Sequence, residues 1–221
     1  MADTRQLLVR AARDHLDAHG LAGLTLRQIA RDAEVSHGAP LRHFAGLAQL
    51  LSAVAAEAFD GLDDSVRSHA DAAGSEPTAR LRAAGRGYVD YAIAHPGPYE
   101  LMFRPELLDR TDAEYLRASI GAFDTLARLT AAAQGVGWRK DHDHDALVGV
   151  LWAGVHGIAS LWIQDALPIA TGVDTVDPLL AMFQHDLADL APHGHPHDQP
   201  HDRSSTMHPT THTTAYTKGV N

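Results

Sequence analysis

Apolar residues recur along this chain at spacings of three and four, in blocks set apart by Gly- and Pro-rich breaks, which is the helical period. Leu7, Ala11, Ala12, His15 and Leu16 share one side of a helix over 4–19 that Gly20 ends, with His15 as a half-buried packing residue. Leu26, Ile29, Ala30 and Ala33 then fall at i, i+3, i+4 and i+7, one face of a two-turn helix. Thr25 precedes it with Gln28 three places on, the spacing of a reciprocal capping box. Ala33-Glu34-Val35 breaks the period, and Ser36 offers an N-cap for a second helix running through His37 to His43. Pro40 cannot donate back to Ser36 and is expected to stiffen that helix without ending it.

From Gly46 a longer helix is expected to run to about residue 73, with Leu47, Leu50, Leu51, Val54, Ala58 and Leu62 inward. Gly74-Ser75-Glu76-Pro77 reads as a turn, followed by a helix over 77–94. His95-Pro96-Gly97-Pro98 restricts the backbone twice and is expected to be a break, with a short apolar helix over 99–103 that Pro105 stops. Leu116, Ile120, Phe123, Leu126 and Leu129 stripe a helix over 112–134. Residues 144–164 carry Val148, Leu151, Trp152, Val155, Ile158, Ala159 and Trp162 on a broad face. Gly149, Gly154 and Gly157 lie in the same helix, where each costs about 1 kcal/mol relative to alanine, so close approach of another backbone is expected. A last helix over 175–191 carries Val176, Leu179, Leu180, Phe183, Leu187 and Leu190. No strand is convincing, and the fold class is all-α.

Both final stripes are wider than one monomer need bury. Pairing across a two-fold axis as a four-helix bundle would cover them, with Val155, Trp162, Leu179, Phe183 and Leu187 at the interface. Ordinary monomer core is the other reading. The expected organisation is a helix-turn-helix head over 1–46, a helical regulatory and dimerising body over 47–192, and a disordered tail over 193–221.

Composition narrows the class. Apolar residues make up 45 % of the chain, with 6 % aromatic, which suits a helical domain protein. No apolar run approaches the roughly 20 residues of a membrane span, and MADTRQLL lacks the basic start and apolar core of a signal peptide. A cytoplasmic protein with no membrane partner is expected. With no cysteine, disulfides, thiolate nucleophiles and Cys-based zinc sites are excluded. The net charge of −10 is unevenly placed: residues 1–60 hold six basic against seven acidic side chains, and 61–192 hold ten against nineteen. Acidity therefore resides mostly outside the head.

Two short helices joined by three residues read as a helix-turn-helix, in which the second helix enters the major groove. Its groove residues would be Ser36, His37, Gly38, Ala39 and Pro40, with His37 the one long enough to hydrogen-bond a base edge. Spacing alone leaves open whether the pair binds DNA or merely supports a helical core. The stretch TLRQIARDAEVSHGAPLRHF resembles the N-terminal DNA-binding domain of the TetR family of transcriptional regulators, with Thr25, Ile29, Ala30, Ala33, Val35, Ser36, Gly38, His43 and Phe44 in that pattern. It departs at Glu34, where the family usually has a turn glycine, at Leu41 in place of a phosphate-contacting aromatic hydroxyl, and at Leu47 in place of a lysine. Fewer phosphate contacts imply weaker affinity and a flatter salt dependence. The contact set that the resemblance implies is Thr25, Arg27, Gln28, Ser36–Pro40, Arg42 and His43, with Arg31 as a further phosphate partner.

The run YVDYAIAHPGPYELMFRPE over 88–106, followed by Trp152-Ala153-Gly154-Val155-His156-Gly157, resembles the WHG-type C-terminal domain of one TetR branch. That resemblance implies a small-molecule inducer. Tyr91, Tyr99, Met102, Phe103, Trp152, His156 and Phe123 are large and partly polar-tipped, which suits a pocket, though each taken singly also suits core packing.

Other chemistry is thin. His193, His195, His197 and His201 could ligate a metal, but a flexible tail fixes no geometry, and adventitious binding is the competing reading. Asp141-His142-Asp143-His144-Asp145 suits a helix start, where acids meet the positive dipole end. His156 and Ser160 lack an acid in line, no glycine-rich phosphate loop is present, and neither an enzyme nor a cofactor is expected. The expectation is a ligand-responsive regulator, as a repressor, binding a palindromic double-stranded operator as a homodimer and released by a small molecule. The alternative is a helical ligand-binding or protein-interaction dimer with weakened DNA affinity.

Overall fold

A computed structural model describes residues 3–189, and all secondary structure among them is helical. Ten helices follow one another, α1 (Thr4–His19), α2 (Leu26–Asp32), α3 (Pro40–His43), α4 (Leu47–Ala72), α5 (Pro77–Ala94), α6 (Pro96–Met102), α7 (Ala113–Gly135), α8 (His144–Ile163), α9 (Ala166–Thr171) and α10 (Asp177–Asp189). A 3-10 turn over Pro105–Leu107 follows α6. The tail from 193 on, with its histidines, lies outside the described residues.

Several starts are capped by the side chain that the sequence offers. Asp3, Glu76, Asp112 and Asp143 each accept a hydrogen bond from a first-turn backbone N–H of α1, α5, α7 and α8. The acid- and histidine-rich run at 141–145 thus serves as a helix start, with Asp143 Oδ1 receiving the Ala146 N–H at 2.9 Å.

The head core is built by Leu8, Val9, Leu16, Ile29, Leu50, Leu51 and Val54. Leu101 of α6 and Leu108 are buried in this same cluster, at 1 % and 7 % exposure, so segments beyond α4 complete the head. The second cluster joins α4, α5, α6, α7, α8 and α10 through Phe59, Leu62, Val66, Tyr88, Val89, Tyr99, Met102, Ala118, Val155 and Leu180. Each large apolar side chain so buried contributes about 1.5–3 kcal/mol. At the α4–α5 contact Gly87 is required, since a Cβ there would lie 2.7 Å from the Ser65 carbonyl oxygen.

The structure differs from the sequence reading at four points. Helix α6 begins at Pro96, three residues earlier than expected, because prolines are tolerated in a first turn whose N–H groups have no helical partner. Helix α9, with Pro168 in its first turn, was not expected at all. Helix α8 does have the length and apolarity of a membrane span, with a mean hydropathy of 1.7 and only 28 % of that window buried. Its inner side nonetheless packs into the core through Leu147, Val148, Leu151, Val155 and Ala159. Its glycines also behave differently from one another. A Cβ on Gly154 would overlap the ring of Phe183, whereas Gly149 and Gly157 face open space. The close neighbour of Gly154 is thus a side chain, not a backbone.

Candidate DNA interface and ligand cavity

Thr25 caps α2 as its spacing predicts, its Oγ1 accepting the Gln28 N–H at 3.1 Å. The reciprocal half of the box is not made: Gln28 Nε2 donates to Asp32 at 2.7 Å, and its carbonyl receives Arg31. Helix α2 ends in a Schellman motif, with the Val35 N–H on the Ala30 carbonyl and the Glu34 N–H on the Arg31 carbonyl, both at 3.0 Å. Glu34 occupies the left-handed position at φ 55° that favours glycine.

The second helix of the pair is shorter than expected and is not capped by Ser36. Proline at 40 has no N–H for the Ser36 carbonyl, which instead takes the Ala39 N–H at 2.9 Å, and α3 begins with Pro40 in its first turn. Ser36, His37 and Gly38 form the turn ahead of it and are exposed, as are Thr25, Arg27, Leu41, Arg42 and His43. Ala39 and Pro40 are buried, so those two expected groove residues are not presented at the surface. Gln28 is half-buried. Neither Arg27 nor Arg42 has an acidic partner within 4 Å among the described residues, which leaves both guanidinium groups to solvent.

In the body, a cavity of about 290 Å³ is bordered by α4, α5, α6, α7, α8 and α10 and opens to the surface. Met102, Phe103, Phe123 and Trp152 line it, and the Phe123 and Trp152 rings meet edge to face at 6.0 Å, both partly exposed. The other three expected residues do not line it. Tyr91 turns toward the head, over Gly61 and against His95 at 4.9 Å, where burial pushes its hydroxyl pKa up. Tyr99 and His156 sit behind Phe103, whose ring lies 5.3 Å and 4.4 Å from theirs.

Tyr99 Oη is 2.8 Å from His156 Nδ1, Tyr88 Oη is 3.1 Å from the same nitrogen, and Ser160 Oγ is 3.4 Å from Nε2. Burial holds the imidazole pKa below its ordinary value, so the ring is neutral at pH 7, which suits a hydroxyl donor at Nδ1. Burial likewise pushes both phenols upward.

Sequence reasoning missed Asp63, Tyr88, Tyr115, Ser119 and Gln184 on the cavity wall. One signal was available: Asp63 interrupts the inward stripe of α4, one place after Leu62. Val155, expected at a dimer interface, is 7 % exposed and lines the cavity. Phe183 packs over Gly154 and lines the cavity too, while Trp162 and Leu179 are half-buried. The side chain of Leu187 lies outside what is described. Among the described residues no group of three or more His, Asp or Glu could hold a metal ion.

Residues 8–54 match the family described as bacterial regulatory proteins, tetR family, and residues 81–190 match the tetracyclin repressor-like C-terminal domain; together they span well over half of the chain. Among curated proteins none matches this chain. Among solved structures, a protein of unknown function from Rhodococcus sp. RHA1 is 29 % identical, with a TM-score of 0.75 over 85 % of this chain and 94 % of its own. The fatty acid degradation regulator FadR from Bacillus halodurans is 14 % identical, with a TM-score of 0.67 over 85 % of this chain and 96 % of its own. AibR, solved with isovaleryl coenzyme A and operator DNA, is 16 % identical, with a TM-score of 0.63 over 84 % and 98 %. An exposed helix-turn-helix, an apolar cavity and matches to both halves of the chain agree: the protein belongs to the TetR family of bacterial transcriptional regulators, with a DNA-binding N-terminal domain and a ligand-binding C-terminal domain.

Proposed function

We propose that the protein is a repressor that binds a palindromic operator as a homodimer in the cytoplasm and is released when a small molecule fills the cavity. The observation that carries this reading is the placement of α6. At its C-terminal end Met102 lines the cavity, with Phe103 next to it, and at its other end Gly97 rests on the α1 backbone at Leu16. A seven-residue helix thus touches both the ligand space and the head. Ligand that displaces Met102 or Phe103 would shift α6 against α1 and change the spacing of the two α3 segments, losing the match to half-sites about one helical turn apart.

Dimerisation is supported by an outer stripe on α8. Ala146, Val150, Ala153 and Leu161 are exposed and Gly157 faces open space, and Met182 of α10 is 64 % exposed. Apolar helix faces of this kind want a partner helix. This proposal moves the interface from Val155 and Phe183 to Val150, Gly157 and Leu161, with Trp162 and Leu179 at its edge.

A second reading, a ligand-binding dimer with a weakened head, is favoured by Leu41, an apolar side chain 66 % exposed on α3. A gel-shift titration with the DNA flanking its own gene, at two salt concentrations, separates the two. Saturable binding that loosens with salt supports the repressor, and no saturable binding at low salt overturns it.

A further inference from the structure

The cavity wall is apolar on nearly every side, and one carboxylate breaks it. Phe59, Leu62, Asp63 and Val66 fall at i, i+3, i+4 and i+7 on α4, so Asp63 shares the face that the cavity uses. Its Oδ2 accepts from Arg67 Nη2 at 2.7 Å, and Arg67 also donates to Thr125 Oγ1 at 3.1 Å. The other oxygen, Oδ1, is buried and receives no hydrogen bond from any described residue. Several other polar groups on the wall are already engaged. Ser119 donates to the Leu116 carbonyl at 3.1 Å, Thr78 to Glu76 at 2.7 Å, and Gln184 Nε2 to the Arg82 carbonyl at 2.9 Å. The Tyr88 hydroxyl is engaged by His156.

We propose that the cavity selects apolar molecules that carry a hydrogen-bond donor, an ammonium or a hydroxyl, received by Asp63, and disfavours molecules ending in a carboxylate. This deepens the ligand-responsive reading above and rests on it. An ionised carboxylate only accepts, so the chemistry that completes it is N–H or O–H. Oδ1 itself is covered by its neighbours, and the last torsion of an aspartate is broad, so rotation about it can turn that oxygen toward the cavity within the same χ1 rotamer. Arg67 balances the charge, and a neutral donor therefore suffices. A ligand carboxylate placed there would set acceptor against acceptor with no proton to share, leaving both oxygens without a donor in an apolar surround. Arg82 also borders the cavity, but its guanidinium is exposed and donates to Thr78 at 3.1 Å, so an anion drawn to it would pair in water, where pairing is weak.

The test uses three ten-carbon probes below their micelle concentrations, decylamine, decan-1-ol and decanoate, titrated against the full chain. Tryptophan fluorescence reports binding, since Trp138 and Trp152 line the cavity. The wild-type protein is expected to bind decylamine and decan-1-ol about tenfold or more tighter than decanoate, and Asp63→Asn to narrow or reverse that order. A variant that weakened all three probes equally would mark Asp63 as structural and overturn the proposal. Equal binding of all three by the wild type would also overturn it while leaving the cavity as a ligand site. Binding of none would remove the cavity reading itself. Should Asp63→Asn fail to fold, the wild-type order decides alone.

Discussion

The α-carbon of Gly97 lies against the backbone carbonyl of Leu16, so closely that a Cβ there would overlap it and approach the Asp17 nitrogen within 2.8 Å. Asp17, beside this contact, has its pKa raised by burial, against the opposing pull of His95 and the Gly97 N–H. Gly97→Ala must therefore push α6 off α1. The expected cost is about 1–3 kcal/mol of stability, read by urea unfolding, together with a change in operator affinity at fixed salt. Unchanged operator affinity in a folded Gly97→Ala protein would argue against α6 as the connecting element.

Gly154 and Phe183 form a matched pair across α8 and α10. Gly154→Ala alone is expected to destabilise by about 1–3 kcal/mol through overpacking. Adding Phe183→Leu should recover part of that loss, and a double-mutant cycle on unfolding free energies measures the coupling. Strict additivity would show that the two do not meet.

Glu34 sits at φ 55° in the Schellman turn that ends α2. Replacing it with glycine relieves the left-handed strain and should raise stability by about 1 kcal/mol. The same change removes an acid next to the DNA-facing surface, so operator binding should tighten, most clearly at low salt. A thermal melt and a gel shift on one Glu34→Gly preparation check both.

The imidazole of His156 holds its proton less tightly in the folded protein than in the unfolded chain, because burial penalises the charged ring. The unfolded state then binds more protons below about pH 6.5, so stability is full above that pH and falls as acid titrates the unfolded chain and then the folded ring. Wild-type Tm should drop between pH 7.5 and 5.5 more steeply than that of His156→Gln. Parallel slopes for the two proteins would rule out this histidine as the source.

Secondary structure was largely legible because it depends on neighbours in sequence. The periods of three and four placed α1, α4, α5, α7, α8 and α10 within a few residues of their observed ends, and Asp112 and Gly20 mark boundaries by local chemistry. Prolines were read less well. In α3 and α6 they stand in the first turn, where a missing N–H costs nothing, and not at breaks or inside the helix.

Which way a side chain faces was decided by the tertiary packing. Large aromatic residues at 91, 99, 103 and 152 announce a crowded region, but their types do not say which border a cavity and which fill the layer behind it. Only the crossing of α4, α5, α7 and α8 turns Tyr91 to the head, sets Tyr99 and His156 behind Phe103, and brings Asp63 to the wall. The sequence determined most of the helices, their order and the family, since period and capping act over a few residues. The cavity and its one unserved carboxylate oxygen needed residues 60 to 120 positions apart to meet, and no local rule specifies that meeting.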